Sequence, residues 1–280
     1  MAGITNIAQQ GWVGRALSKA RAILDGNDSD RVGPRFGRYS EQYMLAPLVG
    51  ESVLCDEGSL MMASLAPSAT ALQLGVSATY VATAAAIVFK NDAPSGSGIR
   101  CSLRDIHFLC AVAPTLGTGL LYATVLDNKD RAPTTVVLQG GTPATATAYL
   151  APNVCLNIDE TPSVNGKCWF PLSTAAGAAP TIPAQGATAR ILVGNGNLRS
   201  VIPVGAATSG VQDDYRIVFG AMDRPAQGAA RSAAAASVIV EPHPAVMIGP
   251  QQFFILYLWA PSNATAGFAF AGLDVSWFER

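Results

Sequence analysis

The sequence predicts an all-β sandwich or barrel carrying an N-terminal arm. Three observations lead there. From about Leu45 onward, short runs rich in β-formers recur, separated by Gly, Pro, Asn, Thr and Ser. No amphipathic helical pattern interrupts them. The first fifty residues read differently, as a short amphipathic helix and then a stretch full of helix breakers. The chain thus divides into an arm over 1–50 and a body over 51–280, with loop insertions near 160–188 and 221–235.

In the arm, Ile4, Ile7, Trp12, Val13, Leu17, Ala20 and Leu24 fall on a helical i, i+3, i+4 spacing, with Arg15, Lys19 and Arg21 mostly off that stripe. Gly26-Asn27-Asp28 ends the pattern. Up to Arg38 the chain is then aperiodic and broken by Gly33, Pro34 and Gly37. Residues 1–38 hold six of the 18 basic residues and three of the 19 acidic ones, so a net +3 segment precedes a body of about −4. The arm has three readings: docking on a partner, phosphate contact, or a solvated tail. Trp12, Val13, Leu17 and Leu24 argue against the tail. The intervening aspartates argue against direct nucleic-acid contact, which calls for denser Lys and Arg. Docking is preferred, with Trp12, Arg15, Leu17, Lys19, Arg21, Arg31, Arg35 and Arg38 as the partner-facing residues and the arginines meeting carboxylates.

In the body, strands are expected over 58–65, 80–90, 99–112, 118–127, 134–139, 144–151, 189–195, 214–220, 236–241, 251–260 and 266–278. Two of them betray a change of register. Apolar residues occupy odd positions in Ile99–Leu103 and even ones in Ile106–Cys110, which places a β-bulge near Arg104-Asp105. Phe268 and Phe270 are even while Leu273, Val275 and Trp277 are odd, which places a second near Gly272. Phe253–Trp259 does not alternate at all, so both faces of that strand are buried, in the core or against another subunit. Core is preferred. Phe253, Ile255, Tyr257 and Trp259 are the candidate oligomer interface if the second alternative holds. Ala226–Ala236 reads equally as a short helix or as a lining under another chain.

Composition removes whole classes of function. With 50% hydrophobic and 13% charged residues, against about 25% charged in an ordinary soluble domain, the chain is neither disordered nor a coiled coil. The longest apolar run, Phe253–Pro261, is too short for a membrane-spanning helix, so no membrane partner is expected. The five cysteines are odd in number and lack CxxC spacing, which argues against a disulfide scaffold and a zinc site. The first residues show no basic and apolar leader, so synthesis in a reducing compartment is expected.

Searching for chemistry returns little. His107 and His243 are the two histidines of the chain and both read as structural. No GxSxG or GxxxxGK[ST] occurs. Gly194-Asn195-Gly196 has no following helix and reads as a hairpin or bulge. Asp127-Asn128-Lys129-Asp130 reads as a polar turn in preference to a cation site. The adjacent pairs Asp159-Glu160 and Asp213-Asp214 point to opposite strand faces. No catalytic, cofactor or metal residue is assigned.

Three segments resemble a known group. They are Arg38-Tyr39-Ser40-Glu41-Gln42-Tyr43 leading into Asp56–Ala63, the stretch Gly98–Leu126, and Phe253–Arg280 with its Leu258-Trp259-Ala260-Pro261-Ser262 and final Trp277-Phe278-Glu279-Arg280. Together they resemble virion structural proteins of tailed bacteriophages, of the kind that cement or decorate the head. The resemblance implies a jelly-roll-like β-sandwich, usually a homotrimer, made in the host cytoplasm and clamping neighbouring subunits of the major capsid protein. It supplies no catalytic residues. The low Lys content, four against 14 Arg, suits persistent interfaces. Three rivals stand beside it: a shell-forming capsid protein with a single jelly roll, a glycan-binding head or tail fibre hinted at by Trp169 near Lys167, and an enzyme.

Overall fold

The structure, a computed structural model, describes residues 55, 58–65, 72–74, 79–112, 120–138, 148–151, 153–156, 164–172, 180–198, 214–220, 227–229, 238–259 and 268–280. The chain divides at Glu57/Gly58, and nearly all of the described residues belong to the unit Gly58–Arg280. The expected arm, with Trp12, Arg15, Leu17, Lys19, Arg21, Arg31, Arg35 and Arg38, lies outside the described residues.

The described part of this unit is all β, with no helix. Its strands are β1 (Leu60–Ser64), β2 (Leu72–Leu74), β3 (Ile87–Asn91), β4 (Cys101–Val112), β5 (Leu120–Asp127), β6 (Val136–Leu138), β7 (Ala148–Leu150), β8 (Asn153–Cys155), β9 (Gly166–Phe170), β10 (Arg190–Leu198), β11 (Asp214–Phe219), β12 (Gln227–Ala229), β13 (Val238–His243), β14 (Met247–Ile248), β15 (Phe253–Trp259) and β16 (Phe268–Glu279). They form two sheets. Sheet 1 runs β12-β13-β11-β4-β16-β1-β8, with β14 on β4 and β2 on β16, and sheet 2 runs β10-β5-β15-β3-β9-β7-β6. Four antiparallel pairs are nested along the chain: β1 with β16, β3 with β15, β4 with β11, and β5 with β10.

The two sheets share one core. Met61, Ile106, Phe108, Tyr215, Ile217, Val275 and Trp277 come from sheet 1, and Ile87, Phe89, Tyr122, Phe170, Phe254 and Leu256 from sheet 2. Rings meet edge-on across the interface, Phe89 on Trp277 at 4.9 Å and Phe219 on Phe254 at 5.6 Å. A second apolar cluster covers the other face of sheet 2. Val88, Val125, Phe253, Ile255, Tyr257 and Trp259 pack there against Ala85 and Ile182 from connecting segments. The centre of sheet 2 is therefore buried on both faces, and β15 has no solvent side.

Both bulges occur where the sequence places them. Ser276 pairs with Asp105 but Trp277 with Leu103, so Arg104 is the extra residue, and the register shifts again between Phe270 and Gly272. The bulge lets Cys101, Leu103, Ile106 and Phe108 all point inward while Asp105 and His107 share the outer face. The two segments expected as loops carry strands: β9 lies within 160–188, and β12 within 221–235. Backbone proximity fixes two glycines. A Cβ on Gly196 would run into the Tyr122 ring, and one on Gly166 would lie 2.6 Å from Trp277.

Because β15 is covered twice, truncation on either face is expensive. Phe254→Ala and Ile255→Ala, on opposite faces, are each expected to cost about 2–5 kcal/mol in urea unfolding. A near-neutral result for Ile255→Ala would show that its face is not core.

Candidate functional site

Two polar clusters stand out, one under each outer surface. The first fastens the layer over sheet 2. Arg131 follows the end of β5 and its side chain is wholly buried, as is that of Asp127. Its guanidinium donates to Asp127 Oδ2 at 2.9 Å, to Tyr257 Oη at 2.7 Å and to the carbonyl of Ala82 at 2.7 Å. The Asp127 carboxylate also accepts the amides of Lys129 and Gly186, at 3.0 and 2.9 Å. Burial pushes the Asp127 carboxyl up, but these amides and Arg131 outweigh it and hold the group below its ordinary range. Tyr80 closes the layer, edge-on to Tyr257 and Trp259, with its hydroxyl donating to Gln185. The cluster clamps 79–86 and 180–189 onto the sheet. It is built for holding backbone, since its charges face each other and are sealed from solvent.

The second lies on the outer face of sheet 1. His107, in the middle of β4, sits between carboxylates from the strands on either side. Its Nε2 is 2.6 Å from Asp214 Oδ1 on β11, and its Nδ1 is 3.1 Å from Asp274 Oδ2 on β16. Ser64 of β1 donates to the other oxygen of Asp274. One pleat along, Arg216 donates through Nε at 2.9 Å and through Nη2 to Asp105, which also accepts the hydroxyl of Ser276. Only an imidazolium can donate to both aspartates at once. The hydrogen bond to Asp274, opposed by partial burial and aided by the charge of Asp214, raises the His107 pKa above its ordinary value. Burial pushes Asp274 up, but His107 and Ser64 outweigh it and bring it below the usual carboxylate range.

Most of the other sequence candidates resolve into structure. His243 is buried. Its Nδ1–H donates to the carbonyl of Pro244 at 2.8 Å, and its Nε2 accepts the Thr124 hydroxyl at 2.7 Å, a pairing that fixes the neutral tautomer. Phe253, Ile255, Tyr257 and Trp259 are at most 6% exposed within this single chain. That corrects their reading as an oligomer interface: residues 79–86 and 180–189 already cover them. Trp169 belongs to the same cluster, so it offers no exposed ring to a sugar. Asp127 is a buried anchor, so the segment 127–130 is more than the polar turn expected. Gly194 and Gly196 lie in β10, where the register shifts twice against β5, in keeping with the bulge reading. Asp159-Glu160, Asp213 and Ala230–Ser237 lie outside the described residues. Cys101 and Cys168 are free and buried, and burial raises both thiols far above their ordinary value.

Sequence reasoning missed both clusters. Arg131 has one partner nearby in sequence, Asp127 four residues before it, but the Ala82 carbonyl and Tyr257 hydroxyl that complete the cluster lie 49 and 126 residues away. His107 had one: once the bulge at Arg104 is placed, His107 must face outward. Among the described residues no group of His, Cys, Asp and Glu is arranged to hold a metal ion, and no helix is long and apolar enough to cross a membrane. Comparison with protein-family models, with curated proteins and with solved structures found no match.

Removing Arg131 strands a buried carboxylate. Arg131→Ala is expected to cost about 3–5 kcal/mol, and the double variant Asp127→Ala/Arg131→Met much less than the sum of its single changes. Urea midpoints measure both.

His107 sets a pH dependence of opposite sense to an ordinary carboxylate. Its folded pKa is raised, so its contribution is complete below the unfolded value of about 6.5 and is lost as pH climbs through the folded pKa. Neutral His107 then turns a lone pair toward one aspartate. Buried His243, with a lowered pKa, acts in the reverse sense and on the acid side of that window. The urea midpoint is expected to fall between about pH 6 and pH 8.5 in the native chain and to change less in His107→Gln. An equal fall in both would assign the dependence to another group. With these side chains about a third exposed, the effect is modest and shrinks with salt.

Proposed function

We propose that this chain is a structural protein of a tailed-bacteriophage head, a cement or decoration protein whose jelly-roll body carries an N-terminal docking arm. The observation that carries the reading is the nested pairing. Of the eight strands β1, β3, β4, β5, β10, β11, β15 and β16, the first pairs with the last, the second with the seventh, the third with the sixth and the fourth with the fifth. The two central sheets are then β1-β16-β4-β11 and β3-β15-β5-β10. A long antiparallel hairpin rolled into two layers would have this order, which supports reading the body as a jelly roll.

The working partners are the major capsid protein and further copies of this chain, assembled as a homotrimer on the phage head after synthesis in the host cytoplasm. The arm, residues 1–50, docks on a neighbouring subunit through its apolar stripe and arginines. Many repeated weak contacts on a symmetric shell suffice for tight binding. The chain acts through surfaces and performs no catalysis.

The same strand order also favours one rival, a shell-forming capsid protein with a single jelly roll. The modest net charge of the arm counts against a genome-facing role. Native mass by light scattering separates the two. A mass near three chains supports the cement protein, and a megadalton particle makes it the shell. Removing residues 1–38 is expected to leave a folded oligomer that no longer co-sediments with capsids. Full binding by the truncated chain would sink the arm-docking mechanism.

A further inference from the structure

Gly166 opens β9 against the indole of Trp277, which is fully buried and edge-on to Phe89. A Cβ there would overlap the indole, at 2.6 Å from its Cε2 and Nε1. The packing of Trp277 thus requires glycine after Asn165. Asn-Gly is also the dipeptide in which main-chain nitrogen most readily attacks the preceding side-chain amide, because glycine puts no Cβ in the way. The fold has placed a chemically labile pair at a core position.

One carboxylate is wrapped around that pair. Glu279, next to the end of the chain, accepts the Gly166 amide at 2.7 Å and the Asn165 amide at 3.0 Å to each oxygen. It also accepts the Asn165 side-chain Nδ2 at 2.9 Å and the Trp277 indole N–H at 2.9 Å. The backbone is fixed from the far side as well, since Asp92 N donates to Asn165 O at 2.8 Å and Gly166 pairs with Asn91 of β3.

We propose that Asn165-Gly166 is a latent deamidation site held unreactive by the Glu279 carboxylate. In the reaction the Gly166 nitrogen loses its proton and bonds to Asn165 Cγ. The Cγ–Nδ2 bond breaks, and ammonia leaves with the proton. Water then opens the resulting succinimide to aspartate or isoaspartate. The carboxylate opposes each early step. It binds the Gly166 proton that must leave, its charge disfavours the amide anion, and it holds the Asn165 side-chain amide on itself and away from the attacking nitrogen. The product would place a second negative charge beside Glu279, and the isoaspartate would add a carbon to the main chain at β9. Deamidation there therefore loosens the junction between β9 and the end of β16, which joins the two sheets.

The test is mass spectrometry of peptides spanning residue 165 after incubation of the folded full-length protein at mildly alkaline pH. Glu279→Ala is expected to deamidate at Asn165 about tenfold faster than the native chain, the factor carried by one charge-assisted hydrogen bond. Glu279→Gln, which keeps an acceptor but no charge, falls between them. An unchanged or slower rate in Glu279→Ala overturns the proposal, and a slower one would make Glu279 a base that promotes the reaction. The native chain supplies a test without any substitution. Its Asn165 should react at least about tenfold faster in urea than when folded, and equal rates overturn the proposal as well.

Discussion

Strand β15 has no face turned to water, and the rest of the molecule is arranged around that constraint. Seven consecutive apolar residues leave no polar side chain to mark a solvent side, so the chain must supply cover twice. Sheet 1 provides one cover, and rings from both sheets interlock beneath β15. Among the described residues the other cover is not a third sheet, since every long strand belongs to the first two. It is made from connecting segments, and connecting segments bring unpaired backbone groups with them. A buried charge pair is the consequence. Arg131 answers the Ala82 carbonyl and Asp127 answers the Gly186 amide, and each neutralises the other. A burial of this kind seldom adds stability over an apolar substitute. Its value lies in satisfying two segments that have no ladder of their own.

The two sheets consequently present different chemistry outward. Over the centre of sheet 2 the described cover is 79–86 and 180–189, with Tyr80 partly exposed on it. Over sheet 1 it is strand surface, with Asp105, His107, Asp214, Arg216 and Asp274 paired across neighbouring strands. Such cross-strand pairs set register and keep the face wet. They also mean that the carboxylates of this face are already engaged by His107 and Arg216. A cationic partner would have to compete with internal donors, so the fixed charges of sheet 1 favour shape and hydrogen bonding over simple attraction.

Much of the architecture was legible because strand patterning is local. Alternation in β4 and β16, and the slips at Arg104 and Gly272, could be read from a few residues each, since side chains two apart share a face. The non-alternating run of β15 correctly signalled double burial but could not say whose residues supplied the second cover. That depends on Ala85 and Ile182, remote in sequence and bland in composition. β9 was hidden for a different reason. Its Asn-Gly start reads as a turn, yet the glycine is there to admit the Trp277 indole, a contact 111 residues away. The short strands β2, β8, β12 and β14 have too few residues to show a period. Arg131 has Asp127 four residues before it and His107 is turned outward by the bulge, but the other partners of both come from remote segments, so their roles depend on what folding brings beside them.

The long connection between β5 and β10 shapes the sheet edges. It places β8 beside β1 in one sheet and β9, β7 and β6 beside β3 in the other. A single insertion thus covers the same side of both sheets, and it ends in strands of three residues, β8 and β6, which offer little backbone for another chain to extend. At the opposite side β13 and β12 extend sheet 1 past β11, and β10 is the outer strand of sheet 2. β10 is bulged twice against β5, and bulges twist an edge out of the plane that strand addition needs. Among the described residues, then, each sheet edge is either short or bent. A protein so finished associates through faces and through segments outside its sheets more readily than by lengthening them. For a chain proposed to repeat on a shell, that distinction separates ordered assembly from open-ended strand pairing.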